Sequence, residues 1–319
     1  MVPGQVRAFV RRHPAVRHAT RQIRIRLPLR LGGLDPALVP PRVRRFDLAL
    51  PVPPGRAALP PLRISAPGDA RVPRRLEADG LAGHCGGPLS VLLAALDAGR
   101  PGAVLDIGAN IGVWSAVAAA CAGRTAYAFE PAPRVAATAR GIVRDNGLDV
   151  RVVELALSNH SGVGALHLSP VADTANTLAP GFRPGAGRVP VRVDTLAHWR
   201  EGAAVVPAAA VVDTGDAVPE VVAGGLEVLR RFRPWLLCAV PPDRGVEERL
   251  MALLEPLDYC WYHLCGAPPH PLRAVIAGCR CRPACRMWLF APDPVSAAVW
   301  AAAAAWQAAI DACRPPPPG

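Results

Sequence analysis

Residues 104–115, VLDIGANIGVWS, set the strongest limit on how this chain folds. Apolar residues run into an acid, a turn spaced by two glycines follows, and an apolar helix pattern starts at Val113. A strand that passes into a helix through so short a turn belongs in a parallel sheet with helices on both faces. The neighbouring sequence repeats the alternation. Strands are predicted at 103–108, 125–131 and 150–158, and helices at 113–122 and 133–147. Less regular blocks predict further strands of the sheet at 189–196, 208–215, 234–240 and 284–292, with helices at 219–232 and 247–257. Upstream, alternating apolar residues predict short strands at 45–51 and 61–67 and a helix from Leu89 to Ala98 that stops at Gly99. Downstream, Asp293 and Pro294 are expected to cap and start an Ala-rich helix running to about Cys313, docked through Trp300, Trp306 and Ile310. The expected organisation is a basic arm (1–44), a Pro-rich lead-in (45–98), the α/β domain (99–292) and a terminal helix with a Pro tail (293–319).

Composition decides how far charge can be used. All 36 basic residues among the 319 are Arg, beside 37 Pro, which points to coding bias and weakens Arg counts as functional signals. Residues 1–75 hold sixteen Arg and three acids, a net of +13, while the whole chain is +11. Such an arm suits nucleic acid, an anionic surface or an acidic partner. A solvated arm is the plainer reading, and without interleaved aromatics for base stacking a nucleic-acid substrate is not expected. No window of about 18 uninterrupted apolar residues occurs, so no membrane span is expected. The arm lacks the apolar core and cleavage site of a secretory signal. Nine Cys, an odd and scattered set, fit a reducing cytoplasm. Cys279, Cys281 and Cys285 lack the paired spacing of a zinc site, and no metal site is expected.

Open α/β sheets bind ligands at the carboxyl ends of their strands. The turn after Asp106 reads Gly108-x-x-x-Gly112, with Asn110 where a dinucleotide fingerprint has its second glycine. An acid there would repel a pyrophosphate, which disfavours a nicotinamide oxidoreductase. It suits S-adenosylmethionine, whose amino and sulfonium groups are cationic. The next strand ends in Phe129-Glu130-Pro131, a carboxylate able to accept hydrogens from both ribose hydroxyls. Trp114, at the first turn of the following helix, suits either a pocket wall or ordinary packing.

VLDIGANIGVWS, AFEP, NGL at 146–148, ALSN at 156–159, VPVRVDTL and DTGDAVPEVVAGG together resemble the FkbM-type methyltransferases over roughly residues 65–292. The resemblance implies a Rossmann-like class I methyltransferase fold, seven strands with a reversed final hairpin, and methyl transfer to oxygen on a sugar or secondary metabolite. It implies cofactor contacts at Asp106, Gly108, Asn110, Gly112 and Glu130, with Leu155 and Ala156 flanking the adenine.

The later signature departs from the family pattern. Asp213, Ala217, Pro219, Glu220 and Val221 fit, but Val211 stands at the Lys position, Gly215 and Val218 at the two Glu positions, and Asp216 at the Gly. A hydroxyl acceptor has to lose its proton, and Asp213 and Asp216 are the candidate catalytic residues. The pair would also suit a divalent cation. His160, His167 and His198 are further candidate bases. Two functions follow. One is an O-methyltransferase acting on a small-molecule hydroxyl with an altered acceptor site. The other is a methyltransferase-fold protein without catalysis that serves as a binding or scaffold partner.

Overall fold

The structure, a computed structural model, describes residues 43–168, 176, 178, 187–242, 244–277 and 286–315. The basic arm up to residue 42, the tail from 316, and Cys279, Cys281 and Cys285 lie outside these residues.

Two short strands, β1 (Val43–Leu48) and β2 (Leu62–Pro67), pair with each other. They lead into α1 (Arg71–Ala98), which starts well before the predicted Leu89. Gly80 and Cys85 leave helical geometry, so α1 is two helical halves joined by a break. The glycine run 80–87 and Pro88 hide the first half from a periodicity reading. The core α/β part follows as β3 (Ala103–Ile107), α2 (Val113–Ala122), β4 (Ala126–Phe129), α3 (Pro133–Asp145) and β5 (Val150–Val153).

The predicted strand at 150–158 breaks after Val153. Its second part, β6 (Ala156–Ser158), joins β7 (Gly162–His167) and β8 (Arg188–Thr195) in a separate three-stranded sheet ordered β6-β8-β7. The 189–196 block was expected in the main sheet. Along β8 buried residues alternate with exposed ones, whereas every residue of β3 is buried. A one-sided strand suits a small sheet with a solvent face.

The chain then returns through α4 (Leu196–Ala203), β9 (Pro207–Val212), α5 (Val218–Ala223), α6 (Leu226–Phe232), β10 (Trp235–Ala239), α7 (Val246–Leu254), β11 (Cys260–His263), β12 (Leu272–Arg273), β13 (Met287–Ala291) and α8 (Ala297–Ala312). Gly224 and Gly225 split the single helix expected at 219–232. The cap of α8 is Ser296, whose Oγ accepts from Val299 N at 3.4 Å, rather than Asp293 or Pro294.

The main sheet is ordered β12-β11-β13-β10-β9-β3-β4-β5. Strands β5, β4, β3, β9 and β10 are parallel, and β13 runs antiparallel between β10 and β11. Apart from the two-residue β12, this is the seven-stranded sheet with a reversed final hairpin, a Rossmann-like class I methyltransferase fold.

Alternation along the strands divides the core. Val104, Ala126, Ala128, Val211 and Leu289 face one side with α1, α2 and α8. Leu105, Phe129, Val212, Leu236 and Phe290 face the other with α5, α6 and α7. Helix α1 has the length and hydropathy of a membrane span, but 67% of its apolar window is buried inside this core. There Gln307 and Ile310 of α8 pack against Gly86.

Candidate functional site

The turn after β3 has three left-handed residues, Gly108 (φ 83°), Asn110 (φ 52°) and Gly112 (φ 78°). Each has a different cause. A Cβ at Gly108 would stand 2.5 Å from the carbonyl oxygen of Asp213, so glycine is required where the β3 and β9 ends meet. Gly112 begins α2, and a Cβ there would meet nothing nearer than 3.8 Å; only its φ calls for glycine. Asn110 tolerates its φ as Asn often does, and its Oδ1 accepts from Ile111 N at 3.0 Å.

Two carboxylates hold this turn. Glu130, buried at the end of β4, accepts from Asn110 N at 3.0 Å and from Ala132 N at 2.9 Å. Asp106 lies beneath the turn at 1% exposure. Its Oδ2 accepts from Ser115 N at 3.0 Å and from Ser115 Oγ at 2.7 Å. Burial raises the Asp106 carboxyl to about 6; the Ser115 bonds oppose that rise and the nearby Asp213 charge adds to it. Leu155 and Ala156 follow β5 at the same edge, both buried, with Ala156 opposite Val193. Trp114 is buried in the helix-packed core.

The candidate catalytic residues carry charge partners invisible in the sequence. Both oxygens of Asp213, just past β9, accept from Arg286 Nη2, at 2.9 and 2.8 Å. Asp216 lies in the turn Gly215–Ala217, and its Oδ2 is 3.6 Å from Arg244 Nη1. Glu220 pairs with Arg249. His198 pairs with Asp194 at 2.8 Å, exposed His160 lies 3.0 Å from Asn159 Oδ1, and His167 is buried at the end of β7. These three His belong to the small sheet and its flanking turn and helix, apart from the β3–β9 junction.

A fourth His feels the charges of Asp213 and Arg286. His84 sits in the break of α1, half-buried, with an enclosed Nδ1 that has no hydrogen-bond partner among the described residues. Burial, then the Arg75 charge, pushes His84 down to about 4; Asp213 raises it and Arg286 lowers it. Burial likewise raises the neighbouring Cys85 thiol, with Asp106 and Asp213 adding to the rise. The Asp213 charge thus acts on His84, Cys85 and Asp106 alike. Thr214 Oγ1, on the residue whose side chain lies beside Gly108, is a buried oxygen without a partner among the described residues. The only sequence signal for His84 is its place within GLAGHCGGP, between two apolar helix patterns; nothing flags Arg286.

A shallow cavity of about 440 Å³ lies at the opposite, amino-terminal rim, lined by Gly102, Arg124, Thr125 and Arg151. Ligands of such sheets bind at the carboxyl rim, so the turn and not this depression is the candidate site. There two buried carboxylates around a glycine turn suit a cationic ligand with vicinal hydroxyls.

No protein-family model and no curated protein matches the chain. Among solved structures it is similar to methyltransferase FkbM from Methylobacillus flagellatus KT, at 12% identity and TM-score 0.38, over 60% of this chain and 43% of that one. It is also similar to a precorrin-6y C5,15-methyltransferase from Geobacter metallireducens GS-15, at 12% identity and TM-score 0.35, over 63% and 84%. A SAM-dependent methyltransferase from Agrobacterium tumefaciens matches at 11% identity and TM-score 0.36, over 66% and 58%. The chain therefore spans less than half of the FkbM structure and 58% of the Agrobacterium one.

Proposed function

We propose that the protein is an S-adenosylmethionine-dependent methyltransferase that methylates a hydroxyl on a small molecule or sugar in the cytoplasm. One observation carries the reading: the left-handed turn 108–112 is held between buried Asp106 and buried Glu130, which bonds Asn110 N at 3.0 Å. Bound there, the cofactor supplies an electrophilic methyl group on a sulfonium. Glu130, fixed by two backbone N–H groups, takes the ribose hydroxyls. Asp106 contributes negative charge beneath the amino end of the ligand, while Gly108 lets the β3 turn approach Asp213 closely. Leu155 and Ala156 supply the apolar edge for the adenine. The Asp213–Arg286 pair walls the acceptor side, with Asp216 on the turn beyond it.

Binding comes first experimentally. Calorimetric titration with S-adenosylmethionine is expected to give a saturable isotherm with the wild type and none with Asp106→Ala. A folded wild type that fails to bind at millimolar ligand overturns the assignment.

A second reading is a methyltransferase fold that binds the cofactor without catalysis. Asp213 and Asp216, the two candidate proton acceptors, each face an Arg, and that favours it. Cofactor binding with no S-adenosylhomocysteine release across a panel of hydroxylated acceptors would support this second reading.

A further inference from the structure

The cavity of about 440 Å³ at the amino-terminal rim lies where the chain enters the parallel strands β3, β4, β5 and β9. Two arginines line it, Arg124 just before β4 and Arg151 within β5, and among the described residues no acid does. We propose that this cavity is a ligand site separate from the glycine turn, and that it takes a small oxyanion, a carboxylate or phosphate group, carried on an apolar body. The inference does not depend on the methyltransferase reading.

The two guanidiniums are held in place but not neutralised. Arg124 Nη2 donates to the Leu96 carbonyl at 2.5 Å. Arg151 Nη1 donates to Tyr127 Oη at 3.0 Å, and its guanidinium lies 5.4 Å from the centroid of that ring. Each of these bonds fixes one nitrogen and leaves the remaining N–H groups of the fork for a ligand. Neither Arg forms an ion pair among the described residues. Asp149, two residues before Arg151, is engaged elsewhere: its Oδ2 accepts from the Thr125 hydroxyl at 2.5 Å. Coding bias accounts for Arg where another protein has Lys. It does not place two cations on one cavity without a carboxylate.

The rest of the lining is apolar and fixed from behind. Tyr127 and Val205 are buried, while Val206 is 50% exposed. The Tyr127 ring meets Trp199 edge-on at 5.1 Å, and Arg200 Nε holds the Val205 carbonyl at 2.8 Å. A Cβ at Gly102 would stand 2.7 Å from the Val206 carbonyl oxygen, so glycine is what lets the entries to β3 and β9 close together there. The volume falls within the roughly 300–1,000 Å³ of small-molecule sites. A planar guanidinium fork matches the oxygens of a carboxylate or phosphate, and bonds between charged partners are about twice as strong as neutral ones. A neutral guest would leave both charges unmet, and a cation would be repelled. The two valines and the tyrosine ring suit the apolar body to which the oxyanion is attached.

The experiment uses the full chain labelled with 13C in its tyrosine rings. There are three Tyr, and the Tyr127 resonance is assigned by its loss in Tyr127→Phe. Benzoate and phenyl phosphate are the probes, and benzyl alcohol is the neutral control. At millimolar concentration at least one anion is expected to shift Tyr127 saturably and to leave Tyr262 of β11 unmoved, while benzyl alcohol shifts neither. The tighter of the two anions identifies the oxyanion. Arg151→Gln is expected to weaken binding tenfold or more, the worth of a bond to a charged group. Val206→Glu adds an acid to the lining at a half-exposed position and keeps both Arg, and it is expected to weaken binding as much, so a folding defect in the first variant does not decide the result. No Tyr127 shift with either anion, an equal shift with benzyl alcohol, or undiminished binding by the folded variants overturns the inference. Calorimetry with S-adenosylmethionine tests the methyltransferase reading separately, so the two failures are distinguishable.

Discussion

Ser115 donates both its backbone N–H, at 3.0 Å, and its hydroxyl, at 2.7 Å, to the same carboxylate oxygen of Asp106. The acid near the end of β3 is thereby tied to the first turn of α2, and the glycine turn between them is closed from below.

This burial makes stability depend on pH. Asp106 is held at about 6 against its ordinary 3.8, so its proton binds more tightly in the folded state. The stabilisation is fully present below about pH 4 and is lost as pH rises through 6. Urea denaturation at pH 4 and pH 7 is expected to show wild type losing stability relative to Asp106→Asn across that window. A pH-independent difference would contradict it. Binding of a cationic ligand should also release protons near pH 6, which calorimetry in buffers of different ionisation enthalpy would detect.

The two turn glycines differ in what they tolerate. Gly108→Ala forces a Cβ against the Asp213 backbone and keeps a left-handed φ, so a loss of about 2–5 kcal/mol is expected. Gly112→Ala meets only the left-handed cost, about 1–2 kcal/mol. Equal losses in chemical denaturation would show that the β3 and β9 ends do not meet as described.

Glu130→Gln keeps the shape but turns one acceptor oxygen into an NH2 group facing a backbone N–H. Losing a charge-assisted bond there should cost about 1.5–3 kcal/mol of stability. Cofactor affinity should fall at least tenfold. Unchanged affinity by calorimetry would remove Glu130 from the ribose contact.

Trp306 joins α8 to α1. Its Nε1 donates to Asp97 Oδ2 at 2.8 Å, and the Arg56 guanidinium lies 4.8 Å from its ring centroid. Trp306→Ala should lose about 3–5 kcal/mol, whereas Trp306→Phe should lose about 1–3 kcal/mol, chiefly that bond. Thermal melting orders the two variants; a larger loss for Phe would argue against packing as the main contribution.

The sequence by itself determined the parallel core and the glycine turn with its two flanking acids. Asp106 and Glu130 end consecutive strands, the glycines between β3 and α2 sit at fixed offsets, and apolar runs bounded by turns are local signals. Where local signals were mixed, the expectation gave way. Residues 150–158 read as one apolar strand yet divide between two sheets, because β6 pairs with β8 rather than continuing beside β4. The glycine run in α1 conceals a helix that only packing against α8 and the sheet sustains. Tertiary structure alone decided the charge partners around Asp213. Arg286 reaches Asp213 across 73 residues of chain. The physical reason is that burial pattern and turn chemistry act over a few residues. Which charge meets which across a sheet rim is fixed by how whole elements pack.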